Sequence, residues 1–155
     1  MTQYKTKRDS YPPRKDSSQP SLPAGYLKDG YFDKDRNLLP QVIQDWPEML
    51  AKTFAGEKLT STQLRRFFNR VRAIEQQNLP FARLKEDILS IKPIAAASVG
   101  REVAPLIFKE FIDKNVHLAV ESLDSFKRGF LTHFQSVVAY LKYYEYEQAS
   151  KGGRR

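Results

Sequence analysis

An all-α fold is what this sequence predicts, and three observations predict it. No alternating apolar and polar run is long enough for a strand. Apolar residues recur at three- and four-residue spacing, and the stretch from residue 37 to 150 holds only three glycines, Gly56, Gly100 and Gly129. Pro47, Pro80, Pro93 and Pro105 stand where helices can start, since proline's fixed φ and missing N–H are tolerated in a first turn. A compact antiparallel bundle of about five helices with a disordered N-terminal extension follows.

The first helix begins near Asp45, with Glu48 three residues on, ends before Gly56 and buries Trp46, Met49, Leu50 and Phe54. The second runs from Thr60 to about Asn78. Thr60 with Gln63 makes a capping box, Leu59 can staple against Leu64, and Leu64, Phe67, Phe68, Val71 and Ile74 form one stripe. A third spans Pro80 to about Lys92 through Phe81, Leu84, Ile88 and Ile91, and Pro93 opens a shorter alanine-rich element ending before Gly100. A fourth follows Pro105, with Ile107, Phe108, Phe111, Ile112, Leu118 and Ala119 inside. The fifth runs from about Ser122 to Gln148, and its arc of Phe126, Phe130, Phe134, Val137, Val138 and Leu141 is wide enough for the bundle centre.

Length and charge set the organisation. The 155 residues suit one domain, and a net charge of +8 points to a polyanionic partner only if it is concentrated. Residues 1–36 carry 8 basic and 5 acidic side chains, residues 37–150 carry 15 and 13, and residues 151–155 carry 3 and none. The first 36 residues, with Pro12, Pro13, Pro20 and Pro23 among polar neighbours, read as a disordered basic extension in which Tyr31 and Phe32 dock locally. Residues 37–150 are the helical bundle domain and 151–155 a basic C-terminal tail. Within the body, Lys58, Arg65, Arg66, Arg70 and Arg72 fall between positions 58 and 72 with no acid among them, and the remainder sums to -3. No apolar run approaches the roughly 18 to 20 residues of a membrane span. No leader opens the chain, and zero cysteines fit a cytoplasmic location while excluding thiolate chemistry.

The segment QLRRFFNRVR (63–72) is the main functional candidate, because guanidinium forks bind phosphate oxygens in pairs and several arginines on one helix can track a backbone. At 100° per residue Arg65 and Arg72 fall on one flank of the stripe and Arg66 and Arg70 on the other. Lys92, Arg101, Lys127 and Arg128 extend the patch if the fold brings them near. Glu110, Asp113 and His117 share a helix face, yet one histidine with two carboxylates lacks a fourth metal ligand, so the face reads as a solvated one. His133 lies in an apolar arc and reads as a satisfied or interfacial histidine rather than a ligand. Tyr140, Tyr143, Tyr144 and Tyr146 point several ways and cannot form one stacking platform. No phosphate loop, catalytic triad or Walker motif occurs, so the chain is predicted to be no enzyme and to need no cofactor or metal.

Three segments together resemble a known family, the small subunit of type III-A CRISPR effector complexes (the Csm-type assembly). LTSTQLRRFFNRVRAIE (59–75) is similar to its opening motif of a Thr/Ser cap, Gln, an apolar residue, Arg and a basic partner. SIKPIAAASVGRE (90–102) is similar to its Lys-Pro, alanine-rich, Gly-Arg segment, and FKRGFLTHFQSVVAYLKYY (126–144) to its terminal phenylalanine ladder. The match covers most of 45–145. It departs at Ile94, Ala95, Ala96 and Ala97, where the family usually carries an aromatic residue.

The resemblance implies a non-catalytic subunit of an antiviral ribonucleoprotein, present in more than one copy beside guide RNA and target RNA, and bound to backbone and large subunits. It also implies RNA-backbone binding by Arg65, Arg66, Lys92 and Arg101; the charge pattern alone adds Lys58, Arg70 and Arg72. Two other readings stand beside it. A helical DNA-binding regulator would insert the basic helix in a major groove, with only Gln63 and Asn69 as amide base readers. A protein–protein adaptor would carry its basic charge incidentally.

Overall fold

The computed structural model describes residues 19–152. A single turn, α1 (Pro40–Ile43), precedes five longer helices: α2 (Asp45–Gly56), α3 (Ser61–Glu75), α4 (Phe81–Gly100), α5 (Leu106–Ala119) and α6 (Thr132–Gly152), the last entered through a π-helical segment, Ser125–Leu131. Among the described residues there is no strand, only an isolated bridge between Phe32 and Leu38. Ser61 at the start of α3 bonds Glu145 near the end of α6, whereas Phe68 packs on Phe134 near its start, so α3 and α6 run antiparallel.

Phenylalanines fill the centre. Phe54, Phe108, Phe111, Phe126, Phe130 and Phe134 are all fully buried. Phe111 sits between Phe54 (5.6 Å, 77°) and Phe134 (5.4 Å, 71°), the edge-to-face arrangement that adds about 0.5–1.5 kcal/mol per pair beyond area burial. Phe126, Phe130 and Phe134 are four apart, and the wider i→i+5 turn of the π segment keeps the first two on the core side.

Several expectations are corrected. Pro93 does not start a new element: Leu84, Ile88, Ile91, Ala95 and Ser98 stay on one buried face across it, and Leu89, whose carbonyl receives no bond from Pro93, is exposed. Met49 is 50 % exposed rather than buried, because Pro47, Leu50, Ala51 and Phe54 are the residues of α2 that face inward.

The larger correction concerns the N-terminal segment. Disorder through residue 36 does not describe residues 19–36, which form a strap laid on the bundle; residues 1–18, the rest of that expected extension, lie outside the described residues. Tyr26, Leu27 and Tyr31 are buried in the common core. Glycines at φ +71° (Gly25) and +76° (Gly30) turn the strap. Its two tyrosines enter a wholly buried polar chain. Tyr31 donates to Asn115 Oδ1 (2.7 Å), Asn115 Nδ2 donates to Tyr26 Oη (2.9 Å), and Tyr26 lies 2.5 Å from His133 Nε2. His133 Nδ1 is 2.7 Å from the carbonyl of Val42, which only accepts, so Nδ1 carries the proton and Nε2 accepts from Tyr26. Burial holds the imidazole pKa down at about 4, so His133 is neutral at pH 7. Composition misjudges this segment because two buried hydroxyls with partners behave as core.

Candidate nucleic-acid interface

Helix α3 is fixed at its start by two devices. Thr60 Oγ1 accepts from the Gln63 N–H (3.1 Å) and Gln63 Oε1 accepts from the Thr60 N–H (3.0 Å), the reciprocal box the sequence predicts. The Ser61 N–H and hydroxyl donate to the two carboxylate oxygens of Glu145, each at 2.5 Å. One face of α3 is therefore anchored to α6 through Ser61 and Phe68, with Leu64 and Val71 buried on the same face, and the opposite face is exposed.

On that outer face Arg65, Arg66, Arg70 and Arg72 are all exposed, with Thr62, Asn69 and Ala73 between them. The two predicted flanks separate in space. Arg66 and Arg70 join Arg101 from the end of α4 around a cleft of about 210 Å³, whose remaining lining is Gln63, Phe67, Ile94, Ser98 and Val103. Arg65 and Arg72 fall on the side of α3 that carries Ser61 and Phe68; the Arg72 guanidinium lies 5.9 Å from the Phe68 ring centroid. Lys58 stands in the α2–α3 connection at φ +64°, exposed. Lys92 is exposed on α4 but, like Lys58, Arg65 and Arg72, is not part of the cleft lining. Of seven sequence-derived candidates, the fold brings three together.

The distribution of ion pairs separates these residues from other cations. Among the described residues, Arg36 and Arg128 share Asp124 (2.9 and 3.2 Å), Lys109 pairs with Asp113 (2.6 Å), Lys127 approaches Glu75 (3.8 Å) and Lys151 holds Glu147 (2.7 Å). None of Lys58, Arg65, Arg66, Arg70, Arg72, Lys92 or Arg101 has a carboxylate partner among the described residues. Lys127 and Arg128, considered as extensions of the patch, are thus engaged elsewhere. Arg128 and Arg36 also cover the Phe32 ring, at 5.1 and 4.6 Å, and so clamp the strap.

The other candidates resolve simply. Asp113 is paired with Lys109, His117 is exposed, and no group of three His, Cys, Asp or Glu side chains among the described residues could hold a metal. The tyrosines split: Tyr144 is buried and donates to Glu48 (2.8 Å), while Tyr143 and Tyr146 are 54 % and 69 % exposed. No helix among the described residues is long and apolar enough to cross a membrane.

Sequence reading missed Phe67, Ile94, Ser98 and Val103 as cleft residues. A signal existed for most of the lining, since 63, 66, 67 and 70 share one helical side, as do 94, 98 and 101. Which side of α4 meets which side of α3 is set by the tertiary packing.

Residues 39–147 match the family model described as Csm2 Type III-A. No curated protein and no solved structure matches the chain.

Proposed function

The chain belongs to the Csm2 Type III-A family, the small subunits of type III-A CRISPR effector complexes, and from that premise we propose that it holds RNA by the backbone, through the outer face of α3 and the end of α4. The observation that carries this reading is the set of exposed arginines without carboxylate partners among the described residues, on a body that is otherwise acidic: guanidiniums left unpaired there are available to phosphate oxygens. Arg66, Arg70 and Arg101 supply a convergent site, with Arg65, Arg72, Lys58 and Lys92 alongside it as weaker, single contacts. Guide RNA and target RNA are the proposed ligands, and the chemistry of contact is indifferent to base sequence.

We further propose a non-catalytic role, with affinity in the complex gained from several copies of the subunit side by side and from docking to backbone and large subunits. About four arginine contacts to single-stranded RNA give a slope of log affinity against log salt near -3. The test is the triple variant Arg66→Glu, Arg70→Glu and Arg101→Glu in the assembled complex. Assembly should survive, because these side chains lie off the buried stripe, while RNA retention falls steeply. Unchanged retention would instead favour an adaptor whose charge is incidental.

A further inference from the structure

We propose that the α3–α4 cleft accepts one unpaired nucleobase of a single-stranded RNA segment, whose flanking phosphates lie on Arg66, Arg70 and Arg101. This deepens the RNA-backbone reading above and rests on it. Backbone tracking alone requires only charge on a convex face. Here three arginines instead line a concavity together with apolar residues: half-buried Phe67, half-buried Ile94, and Val103, which is 48 % exposed. Guanidinium planes and aromatic rings are the surfaces on which unstacked bases lie.

Size and polarity narrow the occupant. At about 210 Å³ the cleft is smaller than the roughly 300–1,000 Å³ of pockets for drug-sized ligands, so it takes a planar ring and leaves ribose and phosphate outside. Two polar groups line it in fixed roles. Gln63 commits Oε1 to the Thr60 N–H, which orients the amide, and its Nε2 donors have no protein acceptor among the described residues. The Ser98 hydroxyl donates to the Ile94 carbonyl (3.1 Å), which leaves its oxygen as an acceptor. A donor and an acceptor lining one cleft suit the paired acceptor and donor that every base presents on its Watson–Crick edge. That edge is free only when the base is unpaired. The Phe67 ring is itself held, packed at 4.7 Å and 68° against Phe108.

The experiment compares, for the full-length chain at low salt, the affinity for an oligouridylate and for an abasic ribose-phosphate oligomer of the same length and charge. The base-bearing oligomer should bind about fivefold more tightly or better. Phe67→Leu keeps an apolar group against Phe108; it should erase that advantage and leave the abasic affinity unchanged. Charge reversal of Arg66 and Arg101 should weaken both oligomers. Equal affinity for the two oligomers, with both lost on charge reversal, overturns the base cleft and leaves the backbone reading standing. A Phe67→Leu variant that weakens both equally also overturns it, because the ring then acts only on the fold. No binding of either oligomer at low salt overturns both readings.

Discussion

The packing of Tyr31 on Gly129 makes the sharpest prediction about the fold. A Cβ added at Gly129 would stand 2.7 Å from Tyr31 Cγ and 2.9 Å from Cε2, closer than real Cβ contacts come. The ring cannot slide away freely, because its hydroxyl is bonded to Asn115 at 2.7 Å. Gly129→Ala should therefore incur the cost of overpacking, about 1–3 kcal/mol. Against this stands the ordinary helix preference for Ala over Gly, about 0.8–1 kcal/mol. The net expectation is a loss of about 0–2 kcal/mol. In a Tyr31→Ala background the clash is gone and only the preference remains, so the same substitution should become stabilising by up to about 1 kcal/mol. Urea unfolding followed by fluorescence of Trp46, which packs edge-on to Tyr26 at 5.4 Å, measures all four corners of the cycle. Gly129→Ala raising the midpoint in the parent chain, or a cycle additive within about 0.3 kcal/mol, would refute the docked strap.

Other expectations follow from single contacts. Thr60→Ala removes one half of the capping box and should cost about 1 kcal/mol, with Thr60→Ser close to neutral, by denaturant melts. His133 has its pKa lowered from 6.5 to about 4, so the unfolded chain binds the extra proton between those values; its contribution is full above pH 6.5 and declines as pH falls towards 4. The loss is at most roughly 3 kcal/mol, and His133→Gln should flatten stability against pH in that window. Lys58→Gly removes a candidate contact while relieving a left-handed backbone, so it should weaken RNA binding slightly and leave stability equal or higher by up to about 1 kcal/mol. Arg70→Ala should flatten the salt slope of RNA affinity by about 1 unit or less across unrelated RNA sequences.

The helices were legible because each carries its signal locally. Thr60 and Gln63 announce α3, and the 3–4 spacing of Leu64, Phe68, Val71 and Ile74 gives the face it buries. Where tertiary packing overrules local chemistry, reading failed. Pro93 looks like a helix start, yet the buried face of α4 runs through it, so packing of Ile91 and Ala95 on the same side outweighs the lost hydrogen bond. The strap was misread for a different reason. Its glycines, prolines and charges describe its exposed half correctly, whereas its buried half depends on Asn115 and His133, separated from Tyr26 by 89 and 107 positions. No window of local composition contains those partners.

The site shows the same division at the level of charge. A net +8 describes no surface, and the count by segment narrows it to Lys58–Arg72 without saying which cations are usable. Usability is decided by pairing. Arg128 and Arg36 face Asp124 and Lys127 faces Glu75, so these cations are already compensated and contribute little field to a distant phosphate. Arg66, Arg70 and Arg101 have no such partner among the described residues and line one cleft, so on the proposed reading a phosphate at its rim would meet several donors at once. Arg65 and Arg72, equally without a carboxylate partner among the described residues, lie on the other side of α3, outside the cleft lining, and on the same reading would offer single contacts only. Identical residue type and equal exposure thus lead to unequal expected losses on RNA binding: reversal of Arg66 with Arg101 should exceed reversal of Arg65 with Arg72, although both double variants change the net charge by the same amount. Equal losses from the two pairs would mean that RNA responds to total charge, and the convergence on the α3–α4 cleft would then carry no weight.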